Sequence, residues 1–243
     1  VTTHRNLAPA PPEASRASVA WGTADREQAI LDSSDGGGAE LRGSVPADPE
    51  AVVVILHGGA ERSRSPVSWW RLPVVRMVPF ASAVERRAGD RLAVLRLKYR
   101  VRGWNDPSAD PVVDTRWALD RIRRVLPGVP IALVGHSMGG RVALHLAADP
   151  DVAAVVALAP WVENDVGQPR PGTHVLLMHG TRDRITDPRR TQVIARWFAE
   201  AGVAVRHIRV EGESHAMLRH AREWHEMVAH FLVGALLGRR RAS

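Results

Sequence analysis

The segment Gly135-His136-Ser137-Met138-Gly139-Gly140 has the form G-x-S-x-G and lies between a short apolar run and a helix-forming run. A serine centred in such a turn can attack a carbonyl carbon. The turn lifts its hydroxyl above a sheet edge, and the helix that follows aims its N-terminal N–H groups at the same point. The turn is tight enough that residues two positions to either side have no room for side chains, which accounts for glycine at 135 and 139. A serine hydroxyl is a weak nucleophile at neutral pH, so it needs a base, and the base needs an acid to orient it. For this turn the partners follow in the chain order serine, acid, histidine. Downstream, the run 174–178 leads into His179-Gly180-Thr181-Arg182-Asp183, and the run 203–210 leads into Glu211-Gly212-Glu213-Ser214-His215. Asp183 and His215 therefore each follow a strand-like run, in the required order.

Other residues compete for the same roles. Asp187 stands four residues beyond Asp183, and Glu163 and Asp165 follow the apolar run 152–158. Asp183 is preferred, with these three as alternatives. Among the histidines, His207 lies inside a strand-like run, while His220, His225 and His230 recur at intervals of five on a helical segment and read as surface and packing residues. His225-Glu226 and His230 resemble a zinc-binding helix motif with one residue too many. Positions i and i+5 point about 140° apart on a helix and cannot share a metal in that geometry. The chain contains no cysteine, phosphate-cradling loop or dinucleotide fingerprint, and no cofactor is implied.

The elements that would hold these residues alternate in type. Runs at 51–56, 91–97, 131–134, 152–158, 174–178 and 203–210 read as strands, and the continuous apolar run 51–56 is of the kind buried on both faces of a parallel sheet. Helical patterns fall at 112–126, 138–148, 189–201 and 219–237, with a further apolar helix candidate at 74–87. Near the N-terminus, 27–32 and 39–44 flank a glycine-rich run at 35–38, which predicts an antiparallel hairpin. Strand–helix alternation predicts an α/β fold: a doubly wound, mostly parallel sheet with helices on both faces. Such sheets bind ligands at the carboxyl ends of their strands, where Ser137, Asp183 and His215 fall. The boundaries read as a flexible lead over 1–17, one domain over 18–237 and a basic tail over 238–243.

On these residues the chain resembles the α/β-hydrolase superfamily. The Gly-His-Ser-Met-Gly-Gly turn is similar to the nucleophile elbow of its small esterase, lipase and dienelactone-hydrolase-like branches. His179-Gly-Thr-Arg-Asp183 and Ser214-His215 match its acid and histidine motifs, and the likeness runs from Ala51 to Leu237. The resemblance implies a serine hydrolase that cleaves small carboxylic esters through an acyl-enzyme, with Ser137, Asp183 and His215 as its triad. An acyltransferase or thioesterase would use the same residues, and a non-catalytic binding protein is the reading from another class. Some branches place the acid after the earlier strand, where Glu163 and Asp165 lie. The oxyanion donors are expected to be the N–H of Met138, the residue after the nucleophile, and that of Gly59 in His57-Gly58-Gly59, with Ala60 next. Ala60 stands where some lipases carry a third glycine.

Four of the eight tryptophans, Trp69, Trp70, Trp104 and Trp161, fall at strand carboxyl ends or in the loops beyond and are candidate walls for an apolar pocket. Arg62, Arg64, Arg71, Arg100 and Arg102 in the same region are candidates to pair with a substrate carboxylate. The interval between the strands ending near 158 and beginning near 174 is too short for a large cap domain, so the site should be open, with 61–87 as the only source of partial cover.

The 243 residues carry 33 basic and 26 acidic side chains, for a formal charge of +7, and Lys98 is the only lysine. Scattered arginines without a basic helical stripe read as GC-rich coding and not as a nucleic-acid surface. Hydrophobic residues at 45% and charged residues at 24% exclude a disordered chain. No stretch reaches the ~18 apolar residues of a membrane span, and no signal-peptide pattern appears, so a cytoplasmic location is expected.

Overall fold

The computed structural model describes residues 23–31 and 38–238. Seven strands form one sheet: β1 (Glu40–Ser44), β2 (Ala51–Leu56), β3 (Leu92–Lys98), β4 (Ile131–His136), β5 (Val152–Leu158), β6 (His174–Gly180) and β7 (Ala204–Val210). Their spatial order is β1-β3-β2-β4-β5-β6-β7, with β1 antiparallel to β3 and every other pair parallel. The run Ala-Val-Val-Val-Ile-Leu of β2 is buried along its whole length, which only a strand covered on both faces permits. Because successive side chains point to opposite faces, Val52, Val54 and Leu56 enter one core while Ala51, Val53 and Ile55 enter the other. Burying each valine or leucine stabilises the fold by roughly 1.5–3 kcal/mol before ordering costs.

The first core is closed by α1 (Thr23–Leu31), α4 (Asp110–Val125), α5 (Met138–His145) and α6 (Pro188–Glu200). The second is closed by α3 (Val78–Ala88) and α7 (Ala221–Leu237), which pack on one another. The helix expected over 74–87 is divided into α2 (Leu72–Val75) and α3, with Pro79 in the first turn of α3, where its missing N–H leaves no bond unmade. Phe80, Ala81, Val84 and Ala88 bury the inner face of α3, so this helix covers the sheet and is not a lid. Residues 159–173, between β5 and β6, contain no helix. Among the described residues no helix is long and apolar enough to cross a membrane.

The N-terminal expectation needs one correction. The antiparallel strand is present, but its partner is β3, with Glu40 opposite Lys98 and Ser44 opposite Val94. The segment expected as the other hairpin arm, 27–32, is helical through Leu31 and belongs to α1. Its Arg-Glu-Gln-Ala-Ile-Leu sequence has helix-forming preference, and Ile30 is fully buried in the first core. Arg121 of α4 donates to the carbonyls of Ala29 and Ile30, satisfying the end of α1. The lead at 1–17, residues 35–37 of the glycine-rich run, and the tail beyond Gly238 lie outside the described residues.

Strand order places the functional loops. The chain leaves β2 toward β3 on one side and leaves β4 toward β5 on the other, while β2 and β4 are neighbours. Their following loops therefore diverge and open a crevice at the carboxyl edge, the switch point at which such sheets hold ligands.

Candidate active site

Ser137 stands between the last residue of β4 and the first of α5 with φ 57° and ψ −117°, a left-handed backbone that a side-chain-bearing residue adopts only under constraint. Three bonds supply that constraint: Ser137 N–H to Leu158 O at 2.9 Å, and Arg141 and Trp161 N–H to Ser137 O at 3.1 Å each. A Cβ on Gly135 would lie 2.0 Å from Gly139 O, so the chain turns back on itself too closely for any other residue there. That is the physical content of the G-x-S-x-G spacing.

The loop after β7 brings His215 over the elbow. His215 Nε2 lies 3.0 Å from Ser137 Oγ, and its Nδ1 lies 2.8 Å from Asp183 Oδ2. A carboxylate only accepts, so Nδ1 carries the proton and Nε2 presents a lone pair to the serine hydroxyl. Asp183, 9% exposed, follows β6 and receives a full set of donors. Oδ1 accepts from the N–H of Ile185 (2.8 Å) and Thr186 (3.0 Å), and Oδ2 from His179 Nε2 (3.1 Å) and the Thr186 hydroxyl (2.9 Å) as well as His215. Burial alone would raise this carboxyl, but the bonds from His179, His215 and the two amides outweigh it and hold it well below the usual carboxylate range.

The other acid candidates lie apart from His215. Asp165 pairs with Arg141 at 3.0 Å, Glu163 accepts from Trp161 Nε1 and Arg190, and Asp187 caps the N-terminus of α6 through Arg189 N–H. His225 packs edge-on against Phe80, and His230 accepts from Arg87, so the two rings serve separate neighbours.

A cavity of ≈300 Å³ opens over Ser137, lined by Gly59, Ala60, Glu61, Ser137, Met138, Trp161, Ile185 and Thr186. Among the described residues, the N–H groups of Gly59 and Met138 have no acceptor within the protein, whereas Ala60 N–H is engaged with Arg102 O at 2.9 Å. A Cβ on Gly59 would fall 2.4 Å from Met138 Cε, so this loop lies directly against the elbow. His57 sets the loop's orientation. Its Nε2 accepts from Tyr99 N–H (3.2 Å), leaving Nδ1 to donate to Gly58 O (2.7 Å). With the Gly58 carbonyl turned to the imidazole, the next N–H of the trans peptide, that of Gly59, faces the opposite way. Burial pushes His57 down to about 4, so it stays neutral in this role.

Of the four tryptophans expected as walls, Trp161 lines the cavity. Trp104 is 1% exposed and backs Trp161, with ring centroids 6.2 Å apart. The Arg141 guanidinium lies over both rings, at 3.7 Å from Trp104 and 4.3 Å from Trp161, and fixes the wall from behind. Trp69 and Trp70 are not walls. Trp69 bonds Glu40 and lies under Arg42 on the β1–β3 side, and Trp70 is 88% exposed. Of the candidate arginines, Arg100 is held by Asp114 and Arg64 by Asp110, while Arg71 and Arg102 line a small cleft beside His57-Gly58-Gly59.

His57, His136 and His179 stand inside the sequence motifs with no role that the motifs themselves assign. His57 directly follows β2, His136 closes β4 and His179 is the last residue but one of β6, and each precedes glycine or serine, a repeated pattern visible in the sequence.

A mostly parallel sheet with a strained serine at its switch point defines the α/β-hydrolase fold. The chain has that fold, and the sequence family described as alpha/beta hydrolase fold matches its residues 51–171. Among curated proteins, no sequence matches this one. Three solved structures show the likeness. A proposed α/β hydrolase of unknown function from Agrobacterium tumefaciens aligns with a TM-score of 0.66 and 18% identity over 82% of this chain and 92% of its own. An α/β serine hydrolase without a lid from Xanthomonas campestris gives 0.60 and 20% over 82% and 89%. Esterase 2 of Thermogutta terrifontis, in a form phosphorylated by paraoxon, gives 0.61 and 20% over 80% and 88%.

Proposed function

We propose that this protein is a serine hydrolase that cleaves carboxylic ester bonds of small substrates through an acyl-enzyme. The observation that carries this reading is the His215 ring, which bridges Ser137 Oγ at 3.0 Å and Asp183 Oδ2 at 2.8 Å beneath an open cavity. In the first step Ser137 Oγ attacks the ester carbonyl carbon while His215 Nε2 takes the hydroxyl proton. The carbonyl oxygen becomes an oxyanion, for which the unengaged N–H groups of Gly59 and Met138 are the available donors. Asp183 remains ionised and stabilises the imidazolium. Collapse expels the alcohol, which receives the proton from His215. Water then enters, gives a proton to His215 and attacks the acyl carbon, releasing the acid and restoring Ser137. The sequence needs no cofactor.

The fold likeness to an esterase that paraoxon phosphorylates, and to a lidless serine hydrolase, supports the choice of probe. A fluorophosphonate should add to Ser137, located by peptide mass, and the folded Ser137→Ala protein should neither label nor hydrolyse esters. A Ser137→Ala protein that hydrolyses esters at the wild-type rate would overturn the mechanism. A panel of matched esters, thioesters and lactones, with and without an alcohol acceptor, separates ester hydrolysis from thioesterase and acyl-transfer activity.

A further inference from the structure

The residue before the nucleophile contacts the same histidine as the nucleophile does. His136 is 2% exposed, and its Nε2 lies 2.9 Å from the backbone carbonyl of His215. A carbonyl only accepts, so Nε2 carries the ring proton and donates it, and the buried Nδ1 has no hydrogen-bond partner among the described residues. The two rings stand 4.9 Å apart at 45°. We propose that His136 is a positioning residue that anchors the backbone of His215 to the elbow, so that base and nucleophile keep one distance through turnover. This role rests on the serine-hydrolase reading and goes beyond it.

His215 needs such an anchor because of where it hangs. Its loop leaves β7, the edge strand of the sheet, whose residues are all exposed or half-buried. The loop's own bracing is upstream and downstream of His215. The buried Glu213 carboxylate accepts from the N–H groups of Ser214, Arg219 and His220, and Glu213 O accepts from Arg182 N–H. None of those bonds reaches the central sheet. The His136 bond does, since His136 ends β4, a strand buried along its whole length. His215 is therefore registered at two points from adjacent residues: its carbonyl by His136, and its ring by Ser137.

The chemistry also requires His136 to remain uncharged. A second imidazolium 4.9 Å from His215 would oppose the charge that forms there at each attack. Burial, reinforced by the neighbouring His215, pushes His136 down to about 3, so it serves as a neutral donor throughout the neutral range. The buried lone pair on Nδ1 is the structural cost of directing Nε2–H at the carbonyl.

The test compares His136→Phe, which keeps the ring and loses the donor, with His136→Gln, whose amide restores an N–H at similar reach. His136→Met serves as a second apolar variant if the Phe protein does not fold. Three readouts are taken on the full chain: kcat and KM for a soluble ester, the fluorophosphonate labelling rate, and the downfield NMR resonance of the His215 Nδ1 proton shared with Asp183. The apolar variants should lose about 10–100-fold in kcat and labelling rate with KM little changed, as expected for a misplacement on the scale of 1 Å. Their downfield proton should broaden into exchange with water, and the Gln protein should recover most of the rate and the resonance. Wild-type kcat and an unchanged resonance in the apolar variants would overturn the proposal. So would equal losses in Phe, Met and Gln, which would assign the effect to packing. A wild-type protein that neither labels nor hydrolyses esters would instead sink the serine-hydrolase reading, and the NMR comparison would still decide whether His136 anchors His215.

Discussion

Replacing Ser137 by glycine and by alanine tests the strained elbow without reference to chemistry, because both changes remove the hydroxyl. Ser137 adopts φ 57° and ψ −117°, where a Cβ costs of order 1–3 kcal/mol. Alanine keeps that cost and glycine removes it. Against this, glycine gains roughly 0.4–1 kcal/mol more unfolded-state entropy than alanine. The hydrogen bond from Ser137 Oγ to His215 is lost equally in both and cancels. The glycine variant should therefore be the more stable by about 1 kcal/mol, equivalent to about 2–4 °C in Tm for a chain of this size. At any helix entry with ordinary negative φ the order would be reversed, so the sign alone decides. Urea unfolding and calorimetry of the two variants supply the measurement. An alanine variant as stable as the glycine variant would refute a strained elbow and remove the physical basis for the nucleophile assignment.

Four further outcomes are expected. His57 and His136 are buried and held down to about 4 and about 3, so as pH falls the unfolded chain takes up protons first. Stability present above ~6.5 is thus lost on acidification, by up to ~1.4 kcal/mol per pH unit for each ring. Urea midpoints at pH 7.5 and 5 should show the fall, a curve flat over that range would contradict neutral burial, and His136→Phe should reduce the slope. Asp183→Asn should lower turnover by about 10³–10⁴-fold by losing the His215 tautomer. Asp165→Asn should leave turnover near wild type but destabilise by roughly 1–3 kcal/mol, since Arg141 is 6% exposed and loses its partner, and an exchange of these phenotypes would move the acid to the loop after β5. In the ≈300 Å³ cavity, each added acyl methylene should raise kcat/KM by about fourfold (~0.8 kcal/mol) and level off by about six carbons. A p-nitrophenyl ester series measures this, and a jump in rate once an emulsion forms would give the part of 61–87 that precedes α3 the role of a lid.

Much of this was legible in the sequence because strand and helix patterns there are strong and local. The runs at 51–56 and 152–158 match β2 and β5, and the proximity of Ser137, Asp183 and His215 follows from the rule that such sheets gather their loops at one edge. The sequence pattern ends β4 and β6 at 134 and 178, because His136 and His179 are polar and look like loop residues, yet both lie within strands and are buried. Helix α1 is not legible in the sequence because a glycine-rich run beside 27–32 favours a hairpin locally, whereas burial of Ile30 against α4 and β1 is a tertiary effect. The tryptophans mark the same limit. Loop position put all four near the edge, but only packing distinguishes Trp161 in the cavity from Trp104 behind it and Trp70 in solvent.

The placement of His215 beyond the edge strand β7, 78 residues downstream of Ser137, has a consequence for how the protein is made. During synthesis from the N-terminus, β2, β3, β4 and β5 can pair and shape the elbow and the His57-Gly58-Gly59 loop before Asp183 and His215 have been translated. At that stage the chain exposes a serine with nothing to remove its proton. On the proposed mechanism, reactivity arrives only when β6 and β7 dock and α7 closes the second core over them. The same mechanism expects partly folded molecules to be inert toward esters and toward covalent inhibitors, so that a serine-directed label taken up during refolding would count finished sheets.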